Sequence, residues 1–384
     1  MDLTKAIFWV SIFSLTYAYF GYMLLCIILS KLFIVKTIRD KFLPLITLII
    51  PCYNEELVIR EKLENVLKLD YPKDKLQILI ASESNDATND IALSYKPRGV
   101  EVFSTLERIG KSVLISKVIP LARGEILVFS DANAILKQNA LMMLTRNFAD
   151  PKVGAVTGLL CINNSRQSHI SRGEDIYKKY ETLLRESNSR MGRVLNSDGA
   201  LFAIRKNLYN PIAPERGDDF ELITRILINK HYTVFEPEAI AFEEASITSS
   251  QEITRKIRMV SWLSQSAALL LKEMLSSLRI DLAFQLISHK FMRWLTPFFL
   301  IALFITSAMA VDNNLFFKLI FFLQLSFYSF GILAMIMLKF TKRKLPLPLG
   351  LAHYFIIYNY AFTVGLVKAI FPSRKYHIWE KSRI

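Results

Sequence analysis

Long charge-free apolar runs and short apolar segments set in polar sequence mark two kinds of structure along the chain. Residues 6–30, 294–311 and 319–338 contain no Asp, Glu, Lys or Arg, and residues 349–367, also free of them, are interrupted by polar side chains, among them His353, Tyr358 and Asn359. A helix needs about 20 apolar residues to cross a bilayer. The pattern therefore predicts four membrane spans. The first lacks a basic leader and a small-residue cleavage pattern, and is long for a signal peptide, so it reads as a retained anchor.

Between the first two spans the periods are shorter. Residues 45–50, 76–81, 100–103 and 126–129 are mainly apolar segments of strand length, and helical patterns follow Glu55, Asp86 and Gly110. This βαβ alternation predicts a parallel, doubly wound α/β sheet. Residues 153–157, 201–204 and 232–235 extend it, and helices near 171–190 and 220–229 supply covering layers. The stretch 262–294 is apolar on one side and dotted with Lys272, Glu273, Arg279, Asp281, His289 and Lys290. That pattern suits amphipathic helices in the membrane interface and equally suits helices covering the sheet. The expected layout is an anchor at 1–35, an α/β domain at 36–260, interfacial helices at 261–293, spans at 294–371 and a basic tail at 372–384.

Composition agrees with membrane integration: 52% of residues are hydrophobic, and the excess is gathered in the spans. The formal charge of +14 invites a nucleic-acid reading. Yet Lys339, Lys342, Arg343 and Lys344 follow the third span, and Arg374, Lys375, Lys381 and Arg383 lie beyond the fourth. Basic flanks of this kind meet membrane lipids and cytoplasmic loops. No nucleic-acid motif accompanies them. Cys26, Cys52 and Cys161 are too few and too scattered for zinc or a disulfide framework, and fit reduced thiols.

Candidate chemistry lies at strand ends, where open α/β sheets bind ligands. After residues 126–129 come Ser130, Asp131, Ala132 and Asn133. A carboxylate and an amide there offer oxygens to Mg²⁺ or Mn²⁺ on a nucleotide diphosphate; the same residues suit an Asx-type turn capping a helix. The first strand ends in Pro51, Cys52, Tyr53, Asn54, Glu55 and Glu56, a ring, an amide and carboxylates that could meet a nucleoside or simply open a helix. Glu83 lies in the polar loop 82–88, where Asp86 is the evident helix cap. Lys111 follows Gly110 at a helix start that would favour an anion, without the upstream glycine of a P-loop. Asp218 and Asp219 open another helix, as capping acids or as a base within reach of an attacking hydroxyl. Arg255, Lys256 and Arg258 could neutralise a diphosphate or touch lipid phosphates.

The order of these motifs, with spans around them, resembles membrane-integrated family 2 glycosyltransferases of the cellulose, hyaluronan and poly-N-acetylglucosamine synthase type, over about residues 45–258. The resemblance implies a GT-A, Rossmann-like nucleotide-diphospho-sugar transferase domain facing the cytoplasm. By that similarity Pro51, Tyr53 and Glu55 line the nucleotide pocket and Lys111 sits in the donor pocket. Asp131 and Asn133 occupy the DxD position and hold Mg²⁺ or Mn²⁺. Asp219 takes the place of the second acid of the ED pair as general base, with Asp218 beside it. Arg258 matches the arginine of QxxRW. Three motifs depart from the pattern. Ser82 and Glu83 stand where the family has its nucleotide-binding aspartate, Asn133 replaces an acid, and Arg255 and Met259 replace the Gln and Trp of QxxRW. The implied reaction is inverting transfer from a UDP- or GDP-sugar to a glycan or lipid-linked acceptor. The alternative is a catalytically inactive GT-A-like subunit partnering another synthase. One anchor before the domain and three spans after it would put the basic tail outside, against the positive-inside tendency.

Overall fold

The computed structural model describes residues 3–163, 171–213, 216, 218–244, 249–312, 314–340 and 345–371. Eight strands form one sheet: β1 (Ile46–Cys52), β2 (Leu76–Ser82), β3 (Val100–Ser104), β4 (Ile126–Phe129), β5 (Ile135–Leu136), β6 (Val153–Asn163), β7 (Phe202–Arg205) and β8 (Tyr232–Glu244). Their spatial order is β3-β2-β1-β4-β7-β6-β8-β5. The half β3-β2-β1-β4 is parallel, as the βαβ alternation predicts. Beyond β4 the sheet turns mixed, because β7 runs antiparallel to both β4 and β6, while β6 and β8 are parallel to each other. The fully parallel sheet expected from the sequence is corrected accordingly.

Every residue of β1 and β4 is buried, as expected for strands covered on both faces. Side chains alternate between those faces. Ile46, Leu48, Ile50 and Cys52 join the core beneath helices Ile59–Leu67 and Ala140–Thr145. Ile49, Leu79, Leu127 and Phe129 join the opposite core, with Leu114 and Ile115 of Lys111–Val118 and Leu222, Ile223 and Ile226 of Asp218–Ile228.

The polar residues inside β1 and β2 have partners. Thr47 Oγ1 donates to Gln77 Oε1 at 2.7 Å and accepts from Gly124 N–H at 2.8 Å. That approach leaves no room at Gly124: a Cβ there would lie 2.3 Å from the backbone nitrogen of Thr47. Gly124→Ala should therefore cost about 3 kcal/mol, by backbone displacement rather than by any loss of chemistry. Thermal unfolding of the purified chain checks this.

Helix Ser249–Ser276 runs without a break through the expected boundary between residues 260 and 261. Its Val260, Ala267, Leu270 and Met274 share a core with Leu195, Phe220 and Leu227 of the α/β domain and with Tyr354, Tyr358 and Phe362 of helix Leu347–Ile370. The stretch thus joins the sheet domain to the last apolar helix. Among the described residues three helices are long and apolar enough to cross a membrane: Leu3–Leu32, Leu315–Phe340 and Leu347–Ile370. The second expected span is not one straight helix. Thr296–Met309 has only 14 residues and passes the same test jointly with Ile280–Trp294, to which it is bent by 54°. Pro297, just inside the second piece, accounts for the break. The basic residues 342–344 and the tail 372–384 lie outside the described residues.

Candidate active site

The loops after β1, β2 and β4 meet at the carboxyl edge of the parallel half. Asn54 adopts a left-handed conformation (φ 53°), which asparagine tolerates better than most residues. Its N–H donates to Ser84 Oγ at 2.9 Å, and its Oδ1 accepts from Asn85 N–H at 3.0 Å. Glu55 N–H donates to Thr88 Oγ1 at 2.8 Å. Glu56 Oε2 accepts from Ala87 N–H, and Asp86 Oδ1 accepts from Thr88 N–H at the next helix start. The β1 and β2 loops are therefore laced together. Pro51 is buried at the end of β1, and Tyr53, partly exposed beyond it, carries the Arg108 guanidinium 3.9 Å over its ring.

Glu83 is buried and turned toward backbone. Its Oε2 accepts from the N–H groups of Ile109 and Gly110, each at 2.8 Å. This anchors the turn in which Gly110 (φ 84°) delivers Lys111 to the first position of its helix. A cation at a helix N-terminus is disfavoured by the macrodipole. Asp131 offsets it: Lys111 Nζ donates to Asp131 Oδ1 at 3.0 Å. Asn133 follows in a turn closed by Ala134 N–H donating to the Asp131 carbonyl, and is partly exposed.

Asp219 stands in the first turn of helix Asp218–Ile228, where the dipole favours a carboxylate. The side chain of Asp218 lies outside what the structure describes. Gly199 (φ 77°) links the two acids in space. A Cβ built on it would lie 3.8 Å from Asp131 Oδ2 and 3.8 Å from Asp219 Oδ2. The two carboxylates thus flank one point. Asp219 is also attracted electrostatically by Arg185 and Lys290.

Arg258 lies on Ser249–Ser276 with its guanidinium 5.5 Å from the Trp262 ring, and Met259 is exposed. Lys256 of the same helix is buried, donating to Tyr358 OH.

Sequence reasoning overlooked three supports. Arg185, buried, makes a two-point pair with Asp198, 2.7 Å at each nitrogen, and so holds the residue before Gly199. The Asp198-Gly199 dipeptide is a turn signal that could have drawn attention to it. Ser130 Oγ donates to the Ala200 carbonyl at 2.9 Å. Lys62, on Ile59–Leu67, donates to Ser130 Oγ at 2.7 Å. Burial pushes the Lys62 ammonium down to about 7, against the attraction of Asp131.

Among the described residues no three His, Cys, Asp or Glu side chains converge as a metal cage. Asp131, with Asp219 facing the same point, instead suits a hard cation that takes the rest of its oxygen ligands from phosphate and water, as Mg²⁺ commonly does. The residues present fit such an ion.

A mannosyltransferase from Pyrobaculum calidifontis, solved with GDP-Man and Mn²⁺, superimposes over 97% of this chain and 100% of its own, with a TM-score of 0.71 at 21% identity. The two share the GT-A fold. A probable glycosyltransferase of Bacillus subtilis is 27% identical over 220 residues, 53% of this chain and 51% of that protein. The poly-β-1,6-N-acetyl-D-glucosamine synthase of Staphylococcus aureus is 32% identical over 165 residues, 42% of this chain and 40% of the synthase. The chain thus matches about half the length of these curated relatives or less. Residues 44–261 match the model of glycosyltransferase-like family 2, more than half of the sequence, and the chain belongs to that family.

Proposed function

We propose that the chain is an inverting glycosyltransferase that moves a sugar from a UDP- or GDP-linked donor to a glycan or lipid-linked acceptor at the cytoplasmic membrane face, in polysaccharide or glycolipid synthesis. The observation that carries this reading is the approach of Asp131 and Asp219 to one point beside Gly199. A donor-side acid and a second carboxylate across the same crevice are what a single displacement requires.

In this reading Pro51, Tyr53 and Glu55 line the nucleoside side, and Glu83 sets the Gly110–Lys111 turn. Asp131 and Asn133 hold Mg²⁺ or Mn²⁺, which when bound supplies positive charge to the departing diphosphate. Lys111 adds a second positive charge on the same side, and Arg258 acts toward the diphosphate from its helix. Asp219 removes the proton of the acceptor hydroxyl, with Asp218 beside it at the helix start. Residues 1–35 and 294–371 anchor the enzyme, 36–260 carry the reaction and 261–293 lie at the lipid interface. Membrane lipids, rather than nucleic acid, are the partners of its basic flanks.

A catalytically inactive subunit would have no reason to keep both acids facing one crevice. Purified full-length protein, incubated with Mn²⁺ or Mg²⁺ and a panel of nucleotide sugars, should release a nucleoside diphosphate from one donor. No release from any donor, with or without acceptor, would overturn the proposal.

Gly199→Ala probes the crevice without touching a charge. The positive φ makes alanine strained by about 1–2 kcal/mol, and the new methyl would sit against both carboxylates. We expect kcat/KM to fall on the order of 100-fold. Steady-state kinetics beside thermal unfolding separates the two effects.

A further inference from the structure

Lys62 has no solvent exposure and sits among Ile59, Leu63 and Val66, which are equally buried. A methionine would fill such a place without the penalty of burying an ammonium, which is several kcal/mol unless its donors are matched. Here two of its three N–H donors are matched by one loop. Nζ donates to Ser130 Oγ at 2.7 Å and to the Ala134 carbonyl at 2.5 Å. These acceptors stand at the two ends of the segment that carries Asp131 and Asn133. Ser130 Oγ passes its own hydrogen to the carbonyl of Ala200, whose neighbour Gly199 faces both carboxylates. A single ammonium therefore reaches both ends of the acid-bearing loop and, through one hydroxyl, the opposite wall of the crevice.

We propose that Lys62 is a positioning residue for the diphosphate-binding loop, tying Ser130 to Ala134 across it and, through Ser130, fastening the Gly199–Ala200 wall. This rests on the sugar-transfer reading for what the loop binds, but not for how the loop is held. Charge adds to geometry. The ammonium and Asp131 attract each other.

The test uses Lys62→Met in the full-length protein, purified in detergent. Two measurements are made: amide hydrogen exchange over residues 130–136 and 199–201, with β1 as internal reference, and Mn²⁺-dependent binding of UDP and GDP. Cooperative unfolding should persist. Exchange should accelerate in 130–136 and 199–201 but not in β1, and nucleotide affinity should fall by about tenfold. A folded Lys62→Met protein with wild-type exchange in those segments would overturn the proposal. So would wild-type nucleotide affinity.

Ser130→Ala serves if Lys62→Met does not fold. It removes the hydroxyl that joins lysine to wall and leaves the lysine in place. Faster exchange at 199–201 supports the proposal, and wild-type exchange there overturns it. Wild-type protein that binds neither nucleotide would refute the sugar-transfer reading instead, while the exchange data would still decide the role of Lys62.

Discussion

Asp131→Ala should lower sugar transfer by roughly 1,000-fold or more, a loss of about 4 kcal/mol in transition-state stabilisation. In the proposed mechanism this carboxylate is the donor-side acid of the crevice; its Oδ2 faces Gly199 and its Oδ1 accepts from Lys111. Alanine would remove the charged one of the two side chains proposed to hold the cation and leave Lys111 without that partner. Donor binding should therefore weaken together with turnover, by about ten- to a hundredfold in the presence of Mn²⁺. Isothermal titration with the donor's nucleoside diphosphate, run beside kinetics, reads both. Equal donor affinity in wild type and variant would remove Asp131 from the metal and diphosphate site.

Asp219→Ala should be nearly as damaging to turnover, by roughly 100- to 10,000-fold, the usual scale of general-base loss. Its signature differs. The acceptor's proton moves only as the new bond forms, so kcat and kcat/KM for the donor should drop together while donor affinity stays within about twofold. Asp219 lies at the start of a helix whose Phe220, Leu222 and Ile223 are all buried, and it is itself partly exposed, so the fold should survive. A variant with wild-type transfer would end its assignment as base. A variant that lost donor binding would instead place it with Asp131 on the diphosphate.

The parallel half of the sheet was legible because β1, β2 and β4 are almost wholly buried and read as short, mainly apolar runs. The mixed half was not. β8 continues from Phe235 through Glu236 and Pro237 to Glu244, and a charge followed by proline ends a strand pattern in sequence. In the fold Glu236 is fully buried against Arg146 and Asn147, partners contributed from the region between β5 and β6. The two-residue β5 has no period of its own and exists only as a partner to β8. The bend before Thr296 follows from Pro297, yet its consequence, two short pieces instead of one span, depends on packing.

The acids were legible for a different reason: each falls at a strand or helix end, where topology brings ligand-binding groups together. Their supports are long-range contacts. Lys62 shares the apolar face of its helix with Ile59, Leu63 and Val66, but only the fold sets its acceptors, Ser130 and Ala134, beside it. Gly199 has no side chain to suggest that it faces two carboxylates. Glu83 could be placed in a polar loop by its position, but not turned toward the N–H groups of residues 109 and 110.

The most direct measurement is an experimental structure of the full-length protein with Mn²⁺ and a donor analogue that cannot transfer its sugar. The expected result is a cation at about 2.1 Å from an Asp131 oxygen, shared with the diphosphate, and Asp219 facing the anomeric carbon from the acceptor side. A cation bound away from Asp131, or Asp219 turned from the sugar, would contradict the placement of the two acids on one reaction centre.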